Sequence, residues 1–172
     1  VSRLLPSGIG YIALDRFTKT ASKEVEAALK LMLIDEAKGI VLDLRNNPGG
    51  LLQEAVKIVN LFVPKGQVVV STKSNVETYN QTFETPKQPL SLEIPLVVLI
   101  NQKSASASEI VAGALQDLDR AVVIGKRSFG KGLVQRPKPL PYGSQLKVTI
   151  SRYYTPSGRC IQALDYRNRK KD

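Results

Sequence analysis

The chain has 172 residues with ordinary globular proportions of apolar and charged side chains, which excludes a disordered or low-complexity protein and allows one sizeable core. Its net charge is +10, yet the densest basic run is terminal (Arg167, Arg169, Lys170, Lys171). That arrangement favours a solvated basic face and a tail over nucleic-acid binding, which would interleave aromatics with a basic stripe. The single cysteine, Cys160, excludes an intrachain disulfide, and no apolar run reaches the length of a membrane span.

In chain order, Gly8–Leu14 reads as a short strand and Ser22–Ala37 as a helix. Ser22 is a fitting N-cap, and Val25, Leu29, Met32 and Leu33 recur at helical spacing. Gly39–Leu44 is an apolar strand of the fully buried kind. The turn Asn46-Asn47-Pro48-Gly49-Gly50 leads into a helix over about 51–62, stopped by Pro64-Lys65-Gly66. Gln67–Ser71 makes a strand, and the polar stretch 73–93 is an excursion with a weak edge strand near Tyr79–Phe83. Pro95–Ile100 is a buried strand, 106–118 a helix, and Ala121–Ile124 a strand. Val134–Leu140 and Gln145–Tyr154 flank Pro141-Tyr142-Gly143-Ser144 as a β-hairpin. Residues 39–71 and 95–124 thus form two tandem strand–turn–helix–strand units, each expected to pair its strands in parallel through a right-handed crossover. Each unit puts a helix start at a strand's carboxyl end, where α/β folds hold their sites.

The chain contains no histidine. Any serine nucleophile here must therefore use another base, and lysine is the best remaining type. Ser106 lies between two alanines at the start of the third helix, beside orphan N–H groups and the positive helix end. Such a position would stabilise an oxyanion, with the Ala107 N–H as first donor. The same residues, Ser106-x-x-Glu109, also spell a capping box, and on this segment alone that simpler reading is favoured. Ser104 and Ser108 are competing cap residues.

Lys131 lies between Gly130 and Gly132. Most lysines only solvate a surface, but flanking glycines imply close approach by another backbone. If the segment is extended, Lys131, Leu133 and Gln135 share a face, and the Gln135 amide oxygen could orient the amine. A free lysine titrates near 10.4, so service as a base near neutrality needs about 4 kcal/mol of desolvation. Gly49 and Gly50 read either as a turn needing positive φ or as a second oxyanion donor.

Together these segments resemble the carboxyl-terminal processing, or tail-specific, proteases. The resemblance rests on Gly8–Ile12, on Asp43–Gly50 (DLRNNPGG), on Ser104–Asp117 (SASASEIVAGALQD), on Gly125–Gln135 (GKRSFGKGLVQ) and on Tyr153–Gly158, and covers nearly the whole chain. It implies that Ser106 is the nucleophile, Lys131 the general base and Gln135 its orienting partner, since the family's serine precedes its lysine by the spacing found here. It places oxyanion donors at Ala107 and at Gly49 or Gly50. It implies an α/β fold, a crotonase/Clp-protease-like core of ββα units with an additional β-hairpin, as one catalytic core domain over 1–172. Asp117 matches a family position but lies about 16 Å along the helix from Ser106, so a structural role is expected.

Such proteins usually carry a PDZ domain just before the core. This chain starts with Val1 where that domain would end, so a fragment or mature product is expected. Cys160 stands where a small polar residue is expected. The implied activity is serine endopeptidase cleavage near protein C-termini through an acyl-enzyme. No cofactor or metal and no nucleic acid is expected. The implied partners are protein substrates with accessible C-termini, with membrane association only through segments outside the chain. The implied compartment is extracytoplasmic, the bacterial periplasm or cell envelope. A crotonase-like acyl-thioester enzyme and a non-catalytic peptide-binding or scaffold module are the competing readings. The first leaves the spacing of Ser106 and Lys131 unexplained.

Overall fold

A computed structural model of the chain describes residues 1–165 and 170–171. Arg167 and Arg169 of the basic run lie outside the described residues. In chain order the elements are β1 (Ser2–Leu4), β2 (Ile9–Ala13), α1 (Ala21–Ile34), β3 (Gly39–Asp43), α2 (Leu52–Asn60), β4 (Val68–Lys73), β5 (Gln81–Glu84), β6 (Leu96–Ile100), α3 (Ala107–Asp117), β7 (Val122–Gly125), β8 (Leu133–Pro139) and β9 (Gln145–Tyr154). Among the described residues no helix is long and apolar enough to cross a membrane.

Two main sheets, with a short antiparallel pair of Leu164–Asp165 and Lys170–Lys171 as a third, give a mixed α/β fold. The first runs β1-β2-β3-β6-β7; β1 is antiparallel to β2 and the other pairs are parallel. The second runs β5-β4-β9-β8 and is antiparallel throughout. The unit over 95–124 forms as expected, β6–α3–β7 with parallel strands. The unit over 39–71 does not. Both edges of β3 are filled, by β2 and β6, so β4 leaves α2 for the second sheet and pairs antiparallel with β5 and β9. The expected weak strand is β5, an edge strand, and the hairpin is β8–β9.

Ile40 and Leu42 of β3 enter the core, where they join Leu29 of α1, Ile58 of α2 and Ile110 and Leu115 of α3, all at most 2 % exposed. The opposite face of this sheet carries the in-register row Tyr11, Val41, Val97 and Val122, half-buried to exposed. The cap of α1 is Thr20, not Ser22. Thr20 Oγ1 donates to Glu24 at 2.5 Å, while Ser22 lies within the helix and its N–H donates to the buried Glu54 carboxylate at 2.8 Å. The helix also closes before Ala37. Glu36 takes φ +53 and the Ala37 N–H donates to the Met32 carbonyl, a C-terminal lock that unwinds the last turn. The consequence for the site is positional: β3 and β6 are neighbours, so the turns at their carboxyl ends are too.

Candidate active site

The turn after β3 and the turn after β6 are joined by side chains. Ser104 Oγ donates to the Leu44 carbonyl at 2.8 Å and accepts from the Asn101 N–H at 2.9 Å. Ser108 Oγ donates to the Asn47 carbonyl at 3.0 Å, and the Ala105 N–H donates to the same oxygen at 3.0 Å. Asn46 and Asn101 exchange two further bonds of 3.0 Å. Ser104 and Ser108 are completely buried in these roles. Ser106, between them, is half-buried.

Glycine is obligatory at the first turn. A Cβ at Gly49 (φ +98) would stand 2.6 Å from the Ala105 carbonyl oxygen and 2.9 Å from the Ala107 nitrogen; one at Gly50 would stand 2.3 Å from the Phe17 carbonyl oxygen. The Gly49 backbone therefore lies directly against the start of α3. Asn47, fully buried, holds the turn by donating to the Leu14 carbonyl at 2.6 Å and accepting from the Gly49 N–H at 2.9 Å.

Ser106 occupies φ 57, ψ −113. This lies in a sparsely populated region for any residue with a Cβ and costs on the order of 1–3 kcal/mol. Ser106 and Glu109 do form a capping box, with the Ser106 N–H donating to Glu109 Oε2 at 2.7 Å. An ordinary serine cap, however, takes β-region dihedrals. Capping does not require the strained ones seen here.

Glu109 does more than complete the box. Its buried carboxylate accepts from the Lys131 N–H at 2.8 Å on the same oxygen as Ser106, and from the Gly130 N–H at 2.6 Å and Ser128 Oγ at 2.7 Å on the other. The nitrogens of Ser106 and Lys131 thus each lie within 2.8 Å of one oxygen atom. The Phe129 N–H adds a bond to the Ser104 carbonyl. This convergence was missed from sequence, where Glu109 appeared only as a cap partner; the glycine-flanked lysine gives no local hint of which acid it meets.

The glycines beside Lys131 permit the close approach expected of them. A Cβ at Gly130 would stand 2.1 Å from the Ala163 Cβ, and one at Gly132 would stand 2.3 Å from the Gln162 nitrogen. Lys131 itself precedes β8 in irregular structure and its side chain is exposed. Among the described residues no hydrogen bond joins Lys131 to Ser106 Oγ or to Gln135. The Gln135 amide donates instead to Thr149 Oγ1 of β9 at 3.3 Å, just past a bulge in which Ile150 of β9 is the extra residue.

Two further acids lie outside this convergence. Asp43, buried at the end of β3, accepts from the Tyr11 hydroxyl at 2.6 Å and from the Arg45 guanidinium through both oxygens at 2.5–3.0 Å. Burial opposes its ionisation, but Arg45 and Tyr11 outweigh burial and hold Asp43 below the usual carboxylate range. The same hydrogen bond pushes Tyr11 up. Spacing i, i+2 on the strand end was the available signal for Asp43 and Arg45. Asp117 accepts from the Ser157 N–H at 3.0 Å and pairs with Arg159, anchoring the 153–158 segment, in line with a structural role. Among the described residues no three His, Cys, Asp or Glu side chains cluster as a metal site.

The sequence profile of Peptidase family S41 matches residues 8–166. A carboxy-terminal-processing protease of Bartonella bacilliformis is 47 % identical over 160 residues, covering 91 % of this chain and 37 % of that protein. A carboxyl-terminal-processing protease of Synechocystis sp. is 44 % identical over 156 residues, with 91 % and 36 % covered. The solved photosystem II D1 C-terminal processing protease superposes with a TM-score of 0.83 at 34 % identity, over 92 % of this chain and 42 % of that one. The chain therefore spans a little over a third of the length of the curated relatives it matches. By this match the chain, with its strained serine and glycine-flanked lysine, belongs to peptidase family S41.

Proposed function

We propose that residues 1–172 form one catalytic core of a serine endopeptidase that cleaves proteins near their C-termini, with Ser106 as nucleophile and Lys131 as general base. The backbone of Ser106 carries this reading. Its dihedrals present Oγ on a sharp turn at a helix start, a geometry that a capping role does not need and that a nucleophile uses.

In this reaction Ser106 Oγ attacks the scissile carbonyl while Lys131 Nζ takes its proton. The tetrahedral oxyanion accepts from the Ala107 N–H, the first free donor of α3, and from the glycine turn. The Gly49 N–H is engaged by Asn47 Oδ1, which favours Gly50 as the second donor. Collapse expels the amine, which takes the proton from Lys131. Water, deprotonated by the neutral lysine, then hydrolyses the Ser106 ester and restores the serine. Glu109 holds the two reacting residues through their backbones, and Gln135 is the candidate to orient Lys131 once substrate closes the site. The carboxyl-terminal-processing names of the relatives support protein C-termini as substrates, and the family resemblance supports action outside the cytoplasm.

The test is cleavage of a C-terminally tagged protein by the full-length polypeptide carrying Ser106→Ala or Lys131→Ala. Both variants lose at least a thousandfold in rate with folding intact. Undiminished cleavage by either sinks the dyad.

A further inference from the structure

The second sheet meets the start of α2 at a pocket of about 250 Å³. The strand registers give this pocket one continuous wall. Phe83 pairs with Val70, Thr72 with Tyr153 and Ser151 with Val134. Alternation along each strand then carries Phe83, Thr72, Tyr153, Ser151, Val134 and Arg136 onto the same face. Leu52 and Gln53, in the first turn of α2, form the facing wall. Both walls attach to the candidate active site. Leu52 is two residues beyond Gly50, and the Tyr153 N–H donates at 2.8 Å to the carbonyl of Gly132, which follows Lys131. Ser151 is 5 % exposed, and its hydroxyl makes no hydrogen bond among the described residues. No buried side-chain nitrogen or oxygen sealed from solvent lacks a partner there, so this hydroxyl is the part of Ser151 that opens into the pocket. Arg136, over the Tyr79 ring at 5.7 Å, is the single charge among the described lining residues.

We propose that this pocket receives one substrate side chain from within two residues of the scissile bond, a neutral one with an apolar body and a hydroxyl tip, and that Ser151 selects tyrosine over phenylalanine there. The proposal rests on the protease reading above for its ligand being a substrate. Size and walls set the body. A cavity of roughly 150 Å³ already holds a benzene ring, so this pocket admits one aromatic side chain against Leu52, Phe83 and Val134. The Ser151 hydroxyl sets the tip, because it has an unused donor and acceptor away from bulk water and gains a hydrogen bond from a phenol that a phenyl ring cannot give. Arg136 sets the charge: with no acid among the lining residues to offset it, lysine and arginine side chains are turned away. The two-residue offset of Leu52 from Gly50, the favoured second oxyanion donor, sets the position along the substrate.

The test reads binding first, in the full-length polypeptide carrying Ser106→Ala. The probe is a fluorescein-labelled dodecapeptide of alanine and serine with one tyrosine at its sixth position, followed by fluorescence anisotropy. It binds about fivefold tighter than its phenylalanine counterpart, the scale of one hydrogen bond, and about tenfold tighter than its lysine counterpart. Adding Ser151→Ala brings the tyrosine-to-phenylalanine ratio within about twofold, and Ser151→Cys, a weak donor of similar size, lowers it too and decides the matter if the alanine variant misfolds. Arg136→Glu, on an exposed side chain, tightens the lysine peptide about threefold. Equal binding of the tyrosine and phenylalanine peptides, or a tyrosine preference that survives loss of the Ser151 hydroxyl, overturns the proposal. So does preferential binding of a glutamate peptide, which would make Arg136 the selecting group. Cleavage then checks the position: the polypeptide with Ser106 intact cuts the tyrosine peptide within two residues of the tyrosine, read by mass spectrometry of the products, and cuts placed without regard to it overturn the proposal as well. Failure of the binding comparison leaves the Ser106 and Lys131 variants' cleavage result untouched, and loss of the dyad leaves the binding comparison standing.

Discussion

Replacing Glu109 by glutamine tests whether one carboxylate assembles the site. Four donors converge on its two oxygens at 2.6–2.8 Å, two on each. Glutamine keeps one oxygen and turns an NH2 toward the other pair, so two charge-assisted bonds are lost. At about 1.5–3 kcal/mol each, the change is about 3–6 kcal/mol. A domain is stable by about 5–15 kcal/mol, so global unfolding is not required to absorb it. The lysine segment lies outside the strands and is the cheapest part to release. Even 3 kcal/mol raises its open population roughly a hundredfold. Amide hydrogen exchange reads this directly: Gly130 and Lys131 lose about two orders of magnitude of protection, while Leu42 and Val98 in the central strands are unchanged. Cleavage by the full-length polypeptide falls in parallel. Unaltered protection at Gly130 and Lys131, together with cleavage within threefold of the parent, refutes the argument.

Three further outcomes are expected. Ser106→Gly is more stable than Ser106→Ala by about 1–2 kcal/mol in urea unfolding, because only glycine tolerates φ 57, ψ −113 without strain; equal midpoints would remove the strain from the account. Gly50→Ala destabilises by about 2 kcal/mol or more and abolishes cleavage, since its Cβ meets the Phe17 carbonyl; a soluble, active variant contradicts the packing. Asp117, though buried, is held below the usual carboxylate range by bonds from Ser157, Thr155 and Arg159. A depressed folded value means that the stability it adds is complete above about pH 5 and is lost as pH falls below about 4. Asp117→Asn therefore flattens the acid limb of stability against pH, measured by urea titration at each pH; a limb parallel to the parent's counts against it.

The elements with strong periodicity were readable in advance: α1 from its apolar stripe, β3 and β6 from unbroken apolar runs, the β8–β9 hairpin from its Pro-Tyr-Gly-Ser turn. Sheet membership was not. Nothing local to Val68–Lys73 says that both edges of β3 are occupied by segments on either side in sequence. The short β1 has no period to read, and the C-terminal lock of α1 turns on a left-handed Glu36 that its residue type does not announce. At the candidate site, the serine, lysine and glycine turn stood out by residue type, and their supports did not. Ser104 and Ser108 bind carbonyls some 60 residues away, and Glu109 meets a loop some 20 residues on. Such side-chain-to-backbone bonds leave no spacing rule in the sequence.

The stitching of the two turns has a mechanical consequence. Because Ser104, Ser108, Ala105 and Asn101 tie the Ser106 turn to the glycine turn, the proposed nucleophile and the proposed oxyanion donors share one hydrogen-bonded platform on the ends of β3 and β6. The lysine arrives on a separate arm, held by Glu109, by the Phe129 bond and by the Gln162–Ala163 strap. Anything that pulls on residues 126–132 or on that strap can withdraw Lys131, the proposed base, while leaving the platform under Ser106 intact. If the proposed dyad holds, switching it on or off needs only the movement of one arm, and the refolding of the Ser106 turn is not required.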